Sequence, residues 1–295
     1  MTREKVLARR FFDRFEPVHA VTYFAPEARA AMDALGYRGF WMGYFAGRAA
    51  PLGRASAELV TAMFYNFSPA HVQRSLPGAW DIAAPEAALR ARLESAVAAL
   101  RRYGLDDGAE VATAADLAAK AAIAAAPDGR GLFAANAALP WPTAPLEKLW
   151  HATTLLREQR GDAHVAALVS VGVNGREANV LHCAAGGVPA AFIKRSRDYT
   201  DDEWRRCVDR LAGRGLLSAG GELTTAGAEL KEHIEAVTDA VSLPVLDALT
   251  DDEVQTLFAV LTPITRAVVA GGDLPAATPM GLRRDELDDE SAHLS

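Results

Sequence analysis

Seven polar side chains are threaded through the most aromatic part of this chain: His19, Tyr23, Tyr44, Arg48, Tyr65, Asn66 and His71. Eight of the eleven Phe and four of the six Tyr fall within residues 1–67, so these groups lie among flat apolar neighbours. A dense aromatic cluster is most often plain core, but apolar walls with a few convergent polar groups are also what a small-molecule pocket requires. Arg48 suits an anionic group of a ligand, and the histidines and tyrosines suit its orientation. A second polar set, His151, Arg157, Glu158 and His164, surrounds the run REQRGDAH and would complete the pocket if it faced the aromatic region. The partner this implies is a small molecule with an anionic or aromatic part.

No reaction class follows from these residue types, and no catalytic residue or cofactor is assigned. The histidines are dispersed without a local metal-ligand spacing, and the pair Glu235 and Asp239 has no third ligand beside it, so no metal site is assigned either. The chain contains no phosphate-binding loop, no dinucleotide fingerprint after a strand, no GxSxG, no HExxH and no CxxC. Cys183 and Cys207 both lie in apolar helical settings and read as buried, reduced thiols.

The elements that must position the pocket are helical. Residues 1–25 predict a helix carrying Phe11, Phe12 and Phe15 that breaks at Glu16-Pro17, and Pro26 opens the next helix. Gly39, Gly43 and Gly47 recur every four residues, a smooth stripe that admits another backbone or a flat ligand. Leu89, Leu93, Val97 and Leu100 mark an amphipathic helix, and an alanine-rich one spans 109–126. Four prolines within 127–145 suggest a linker and a boundary near 144. A helix from Leu146 is expected to stop at Gly161, with another beginning at Asp162.

The stretch Tyr199–Leu230 has a different grammar. Thr200-Asp201-Asp202-Glu203 is a capping-box signal ahead of the stripe Trp204, Cys207, Val208 and Leu211. Gly213 and Gly215 stop that helix, Gly220-Gly221 suits a hairpin tip, and Thr224-Thr225 caps a further helix. Helix, short hairpin and helix in that order predict a winged helix. Thr250–Glu253 repeats the capping box before the stripe Val254, Leu257, Phe258, Leu261 and Ile264.

The run RLAGRGLL…GELTTAGAEL resembles the recognition helix, wing and following helix of MarR-type winged-helix proteins. The segments TYFAPEARAAMDALGYRGFWMGYFAGRAAPLG, RGDAHVAALVSVGV, DDEW…GRGLL and IEAVTDA further resemble the actinobacterial helix-turn-helix (SalK-like) proteins. The MarR resemblance implies operator DNA as a partner, a homodimer formed through terminal helices, and a response to small, often aromatic, ligands. The fold class expected is mainly α, in two helical domains, the C-terminal one a winged helix-turn-helix with a short β-hairpin wing. ELVTAMFYNFSPAHVQRS (58–75) can be laid on EANVLHCAAGGVPAAFIKRS (177–196), which would make the N-terminal domain a second, degenerate winged helix. The expected divisions are 1–126, a linker 127–144, a winged-helix domain 145–270 and a disordered polar tail 271–295.

Charge weighs against nucleic acid. The formal net charge is -7, and between Lys194 and Arg214 seven basic residues meet five acidic ones. Phosphate neutralisation supplies most non-specific affinity for DNA, so this patch is mild. The residues that would carry it are Lys194, Arg195, Arg197, Arg205, Arg206 and Arg210. No apolar run reaches the ~18 residues of a membrane span, and residues 1–16 lack the apolar core of a signal peptide, so the expected location is the cytoplasm. Two readings result: a winged-helix ligand-binding regulator that acts on DNA, or an enzyme or binding protein on a repurposed winged-helix scaffold that does not.

Overall fold

The computed structural model describes residues 3–275 and 280–294. The N-terminal half runs α1 (Val6–Phe24), α2 (Pro26–Ala34), α3 (Gly39–Ala49), α4 (Ala57–Phe64), α5 (Pro69–Gln73), α6 (Ala79–Ile82), α7 (Pro85–Arg102) and α8 (Ala109–Ile123). There follow α9 (Gly131–Ala137), α10 (Pro145–Ser170), α11 (Gly175–Ala184), α12 (Ala190–Ser196), α13 (Asp201–Gly213), α14 (Thr225–Ser242) and α15 (Asp251–Ala270). The fold is mainly helical, and no strand forms among the described residues. Where a wing was expected, the chain reverses through an isolated antiparallel bridge between Leu217 and Leu223, with the Ser218 N–H donating to the Glu222 carbonyl at 2.8 Å.

Three helical expectations are corrected. Helix α1 passes through Pro17 without breaking. The missing N–H costs one intrahelical bond, and burial of Phe11, Phe15, Val18 and Val21 on both sides of the proline offsets it. Helix α10 likewise runs 26 residues through Gly161. The roughly 1 kcal/mol that glycine costs inside a helix is small beside burial of Leu155, Leu156, Ala167 and Leu168 on either side. Within 127–144, α9 buries Leu132 and Phe133, and the Phe133 N–H donates to Asp162 on α10 at 3.0 Å.

Helices α1, α7, α8, α10 and α15 share the largest hydrophobic core, which therefore includes residues on both sides of 144. In α8 the residues Ala114, Ala115, Ala118, Ala119, Ala121 and Ala122 are all buried, so small side chains let this helix lie close on α10. Helix α15 is long and apolar enough to cross a bilayer, but Val254, Leu257, Phe258, Leu261 and Ile264 pack in this core. Its Thr250 capping box is complete, whereas at Thr200 only half forms, because Glu203 turns away to pair with Arg176. A second cluster gathers Phe45, Phe64, Phe67, Val72 and Trp80 from α3 to α6, and a third joins α11 and α13 through Val180, Leu181, Cys207 and Leu211.

Residues 280–294 of the tail, expected to be disordered, lie against α1 and α15. Leu287 and Ala292 are buried, Arg283 pairs with Asp13 at 2.8 Å, and Arg14 donates to the Glu286 carbonyl at 3.1 Å. The cause lies in α1: Asp13 and Arg14 point inward, and buried charges require partners, which the tail supplies. Glu235 and Asp239 are similarly engaged, with Arg9 at 3.4 Å and Arg160 at 2.7 Å, so this face of α14 is turned to α1 and α10.

Tyr65 ties the end of α4 to the start of α11. This residue has φ +61°, its hydroxyl donates to the Val173 carbonyl at 2.6 Å, and its own carbonyl meets the start of α11 at Gly175. A β-carbon at 175 would overlap that carbonyl. Gly175→Ala is therefore expected to destabilise the fold by about 1–3 kcal/mol, as overpacking against backbone does. Urea unfolding measures it, and an unchanged midpoint would show that the seam yields.

Candidate ligand site

Four helices converge on one buried polar cluster. Helix α1 presents Glu16, His19 and Tyr23 at i, i+3 and i+7, and α3 presents Tyr44 and Arg48 at i and i+4. Helix α7 adds Arg92, and α10 adds Thr154, Arg157 and Glu158. Arg48 grips Glu158 at two points, with Nε and Nη2 each 3.1 Å from a carboxylate oxygen, and Nη1 lies 3.3 Å from the Tyr44 hydroxyl. Arg157 approaches Glu158 at 2.8 Å as an ion pair without hydrogen-bond alignment, and lies 3.6 Å from Glu16. Two guanidiniums hold the Glu158 carboxyl well below the usual range despite its burial.

His19 is stacked on Trp150, with Nδ1 2.9 Å from the Thr154 hydroxyl and Nε2 3.0 Å from the Tyr23 hydroxyl. Burial and then the nearby Arg157 push its pKa well below the ordinary value, so the ring is neutral. Glu16 is pushed up to about 7, chiefly by burial, and one of its oxygens has no partner among the described residues.

Beside this cluster is a cavity of about 240 Å³ between α1, α2, α3 and α7. Tyr23, Phe24, Met32, Phe40 and Tyr44 form its walls, Gly39, Gly43 and Gly47 run along one side, and Arg48 and Arg92 reach it. The glycine stripe meets a side chain rather than another backbone. Gly43 faces Met32 so closely that a β-carbon there would stand 2.8 Å from the Met32 Cβ, and the same stripe leaves the cavity open. An apolar cavity of about 150 Å³ holds benzene, so this one has room for a molecule of one or two rings.

The cluster behind the cavity is balanced when all its acids are ionised. Arg48, Arg92 and Arg157 lie near Glu158, Glu16 stands beside Arg157, and Asp162 is within electrostatic reach of Arg48, three cations against three carboxylates, so the cluster turns positive when Glu16, pushed up to about 7 by burial, is protonated. Arg92 is 4% exposed, and it donates from Nη1 to the Gly47 carbonyl at 3.0 Å and from Nη2 to Asn136 at 3.1 Å. Its Nε has no partner among the described residues, which leaves a buried charged donor beside the cavity.

Of the residues singled out from the sequence, His19, Tyr23, Tyr44, Arg48, Arg157 and Glu158 are brought together. The other five are not. Tyr65 and Asn66 belong to the seam with α11, where Asn179 donates to the Asn66 carbonyl at 3.0 Å. His71 is packed edge-on to Trp41, with ring centroids 4.8 Å apart, on the side of α3 away from the cavity. His151 is packed edge-on to Trp141 at 4.7 Å, and His164 Nδ1 lies 3.1 Å from the Thr238 hydroxyl on α14. Arg92, Glu16 and Thr154 were not foreseen. Arg92 shares a helical face with Leu89, Ala96 and Ala99, so a charge on an otherwise apolar stripe was the available signal. Among the described residues no group of three or more His, Cys, Asp or Glu could hold a metal ion.

Glu16 gives a pH prediction. Its folded-state pKa of about 7 lies above the ordinary 4.5, so between those values the native state binds more protons than the unfolded one. Its contribution is fully present below pH 4.5 and is lost as pH rises through 7. Glu16→Gln, which mimics the protonated form, is therefore expected to raise the melting temperature at pH 8 and to leave it nearly unchanged at pH 4.5. Calorimetric scans at the two pH values decide this, and an equal effect at both would remove Glu16 from the linkage.

A model of the helix-turn-helix family matches residues 8–275. The chain belongs to the helix-turn-helix family. No curated protein and no solved structure matches it. In this helix-turn-helix chain, α12 and α13 are joined by residues 197–200, and the six basic residues expected on a nucleic-acid face are distributed unevenly around them. Lys194 pairs with Asp201, Arg205 with Asp202 at 3.0 Å, and Arg210 with Glu177, its Nε 2.6 Å from the carboxylate. Arg197 turns inward over Phe67 and Trp41. Arg195 and Arg206 are exposed without an ion-pair partner among the described residues.

Proposed function

We propose that this chain is a small-molecule-binding helix-turn-helix protein of regulatory type, whose ligand carries an acidic group on a flat, one- or two-ring body. The observation that carries this reading is the 240 Å³ cavity with aromatic walls and two buried guanidiniums, one of which retains an unpartnered N–H. The unpartnered N–H of the buried Arg92 guanidinium favours an anion, and Tyr23, Phe40 and Tyr44 supply faces for a ring. Helix α13 is the counterpart of a recognition helix, and the Leu217–Leu223 reversal is the counterpart of a short wing, as in the MarR and SalK-like proteins that the sequence resembles. Because α15 spends its apolar stripe on the core of its own chain, a homodimer would use another surface.

The regulatory part of the proposal is tested on DNA. Saturable binding to duplex from the gene's own upstream region, stronger than to random duplex and weakened by salt, is the expected result. Arg205→Ala together with Arg206→Ala should reduce the affinity and flatten its salt dependence. Fluorescence anisotropy at two salt concentrations reads both, and no binding even at low salt would remove DNA from the proposal while leaving the ligand site intact.

A further inference from the structure

Helix α3 has two working sides. Phe40, Gly43 and Tyr44 line the cavity, while Trp41 lies edge-on to Tyr44 with ring centroids 5.5 Å apart and edge-on to Phe67 at 5.6 Å. Against this second side stands Arg197, the first residue after α12, with its guanidinium 4.4 Å from the centre of Phe67 and 5.5 Å from that of Trp41. No carboxylate pairs with Arg197 among the described residues, its buried Nε has no partner, and its Nη1 makes one long 3.5 Å bond to the neighbouring Ser196 carbonyl. The cation is held by ring faces, an attraction that depends on their placement.

The backbone around Arg197 is gripped from the other side. Arg176 on α11 donates to the Arg197 carbonyl at 2.7 Å and pairs with Glu203 on α13, its Nε 2.7 Å from the carboxylate, and the Tyr199 hydroxyl donates to the Arg176 carbonyl at 2.6 Å. Asp198 sits at φ +57°, where residues with a β-carbon are rarely found, and pairs with Arg74 of the N-terminal half at 2.8 Å. The turn into α13 thus has a firm attachment to α11, an exposed ion pair to Arg74, and a softer contact, through Arg197, to Phe67 and to Trp41 of α3, Phe67 itself lying against Trp41 and Tyr44.

We infer that Arg197 is a positioning residue that couples the cavity to the turn before α13: a molecule seated against Phe40, Gly43 and Tyr44 shifts the contacting rings of Trp41 and Phe67, and Arg197 transmits the shift to residues 197–200. This rests on the cavity being the ligand site. It also explains why a cation placed in sequence among those of a nucleic-acid face points into the protein. Coupling free energies between linked sites correspond to about 5–150-fold changes in an equilibrium, which sets the size of the effect to look for.

The test fills the cavity without needing the natural ligand. Phe40→Cys in a Cys183→Ala background is modified with benzyl methanethiosulfonate, one label per chain being verified by mass spectrometry, and amide hydrogen exchange is compared before and after labelling. The expected result is altered exchange in α2 and α3 together with a change of about fivefold or more over residues 197–202. Arg197→Ala should abolish the second change and keep the first, and Arg197→Lys, which keeps a cation on a long stem, should retain much of it. Altered α2 and α3 with unaltered 197–202 would overturn the coupling and leave the cavity reading intact. An unchanged response in Arg197→Ala would do the same. Labelling that leaves α2 and α3 unaltered would show that the ring is not accommodated, and both readings would fall.

Discussion

Glu158→Gln is expected to lower the stability of the fold by about 3–5 kcal/mol, as removal of one member of a buried ion pair does. The Glu158 side chain is 2% exposed and is the shared counter-ion of Arg48 and Arg157, whose side chains are 10% and 16% exposed. Glutamine keeps the shape and cancels the charge, leaving two guanidiniums near one another with Glu16 and Asp162 as the nearby carboxyls, both pushed towards neutrality by burial. Urea denaturation of the variant beside the parent measures the loss. A change of less than about 1 kcal/mol, the range of exposed pairs, would mean that water reaches this cluster far more freely than its burial implies. By the same geometry Arg48 is no free ligand hook. Its two-point pairing with Glu158 means that Arg48→Ala should cost stability as well as any ligand contact.

The second large effect is assigned to Arg92→Met, which keeps an unbranched side chain and removes the guanidinium. Affinity for 2-naphthoate is expected to fall by about tenfold or more, in line with the roughly 1.5–3 kcal/mol of a hydrogen bond to a charged group. Affinity for the neutral 2-naphthamide should change much less, because the lost interaction is with charge. Isothermal calorimetry of both compounds on both proteins separates the terms. Equal losses for acid and amide would show that Arg92 merely supports the cavity through Gly47 and Asn136.

Much of the helical frame is written locally. Caps at Ser56, Ser68, Thr200, Thr224 and Thr250 accept the backbone bonds their residue types are suited to, and prolines stand in the first turns of α2, α5, α7 and α10. What local chemistry does not reveal is how much burial a segment will gain. Pro17 and Gly161 are breakers by residue type, yet both lie inside continuous helices because the flanking turns are packed on several sides. The packing of residues 280–294 is hidden for a related reason: their composition is polar, but their partners are the inward charges of α1, some 270 residues away.

The candidate site was legible as far as helical periodicity carries. His19 with Tyr23, and Tyr44 with Arg48, are each four residues apart on one helix, and they meet through the Tyr23 and Tyr44 rings, α1 and α3 both being packed on α2 and α7. Which face of α10 would join them was not written in its residue types. That helix is polar and apolar on all sides, being surrounded by α1, α7, α8, α9 and α14, so Arg157 and Glu158 reach the cluster while His151 and His164 turn to other neighbours. Arg92 was hidden because a single arginine in an amphipathic helix ordinarily belongs to the wet face.

The most direct test of the ligand site compares the parent with Gly47→Leu in thermal shift against a panel of one- and two-ring carboxylates and their amides. Gly47 lies on the cavity stripe with Met32 as its nearest neighbour, at 3.5 Å from a β-carbon, so a leucine there occupies cavity space. Carboxylates should raise the melting temperature of the parent more than their amides do, and the effect should vanish in Gly47→Leu. A parent that fails to distinguish any acid from its amide, or a Gly47→Leu protein that responds as the parent does, would contradict the assignment of this cavity as an anion-binding ligand site.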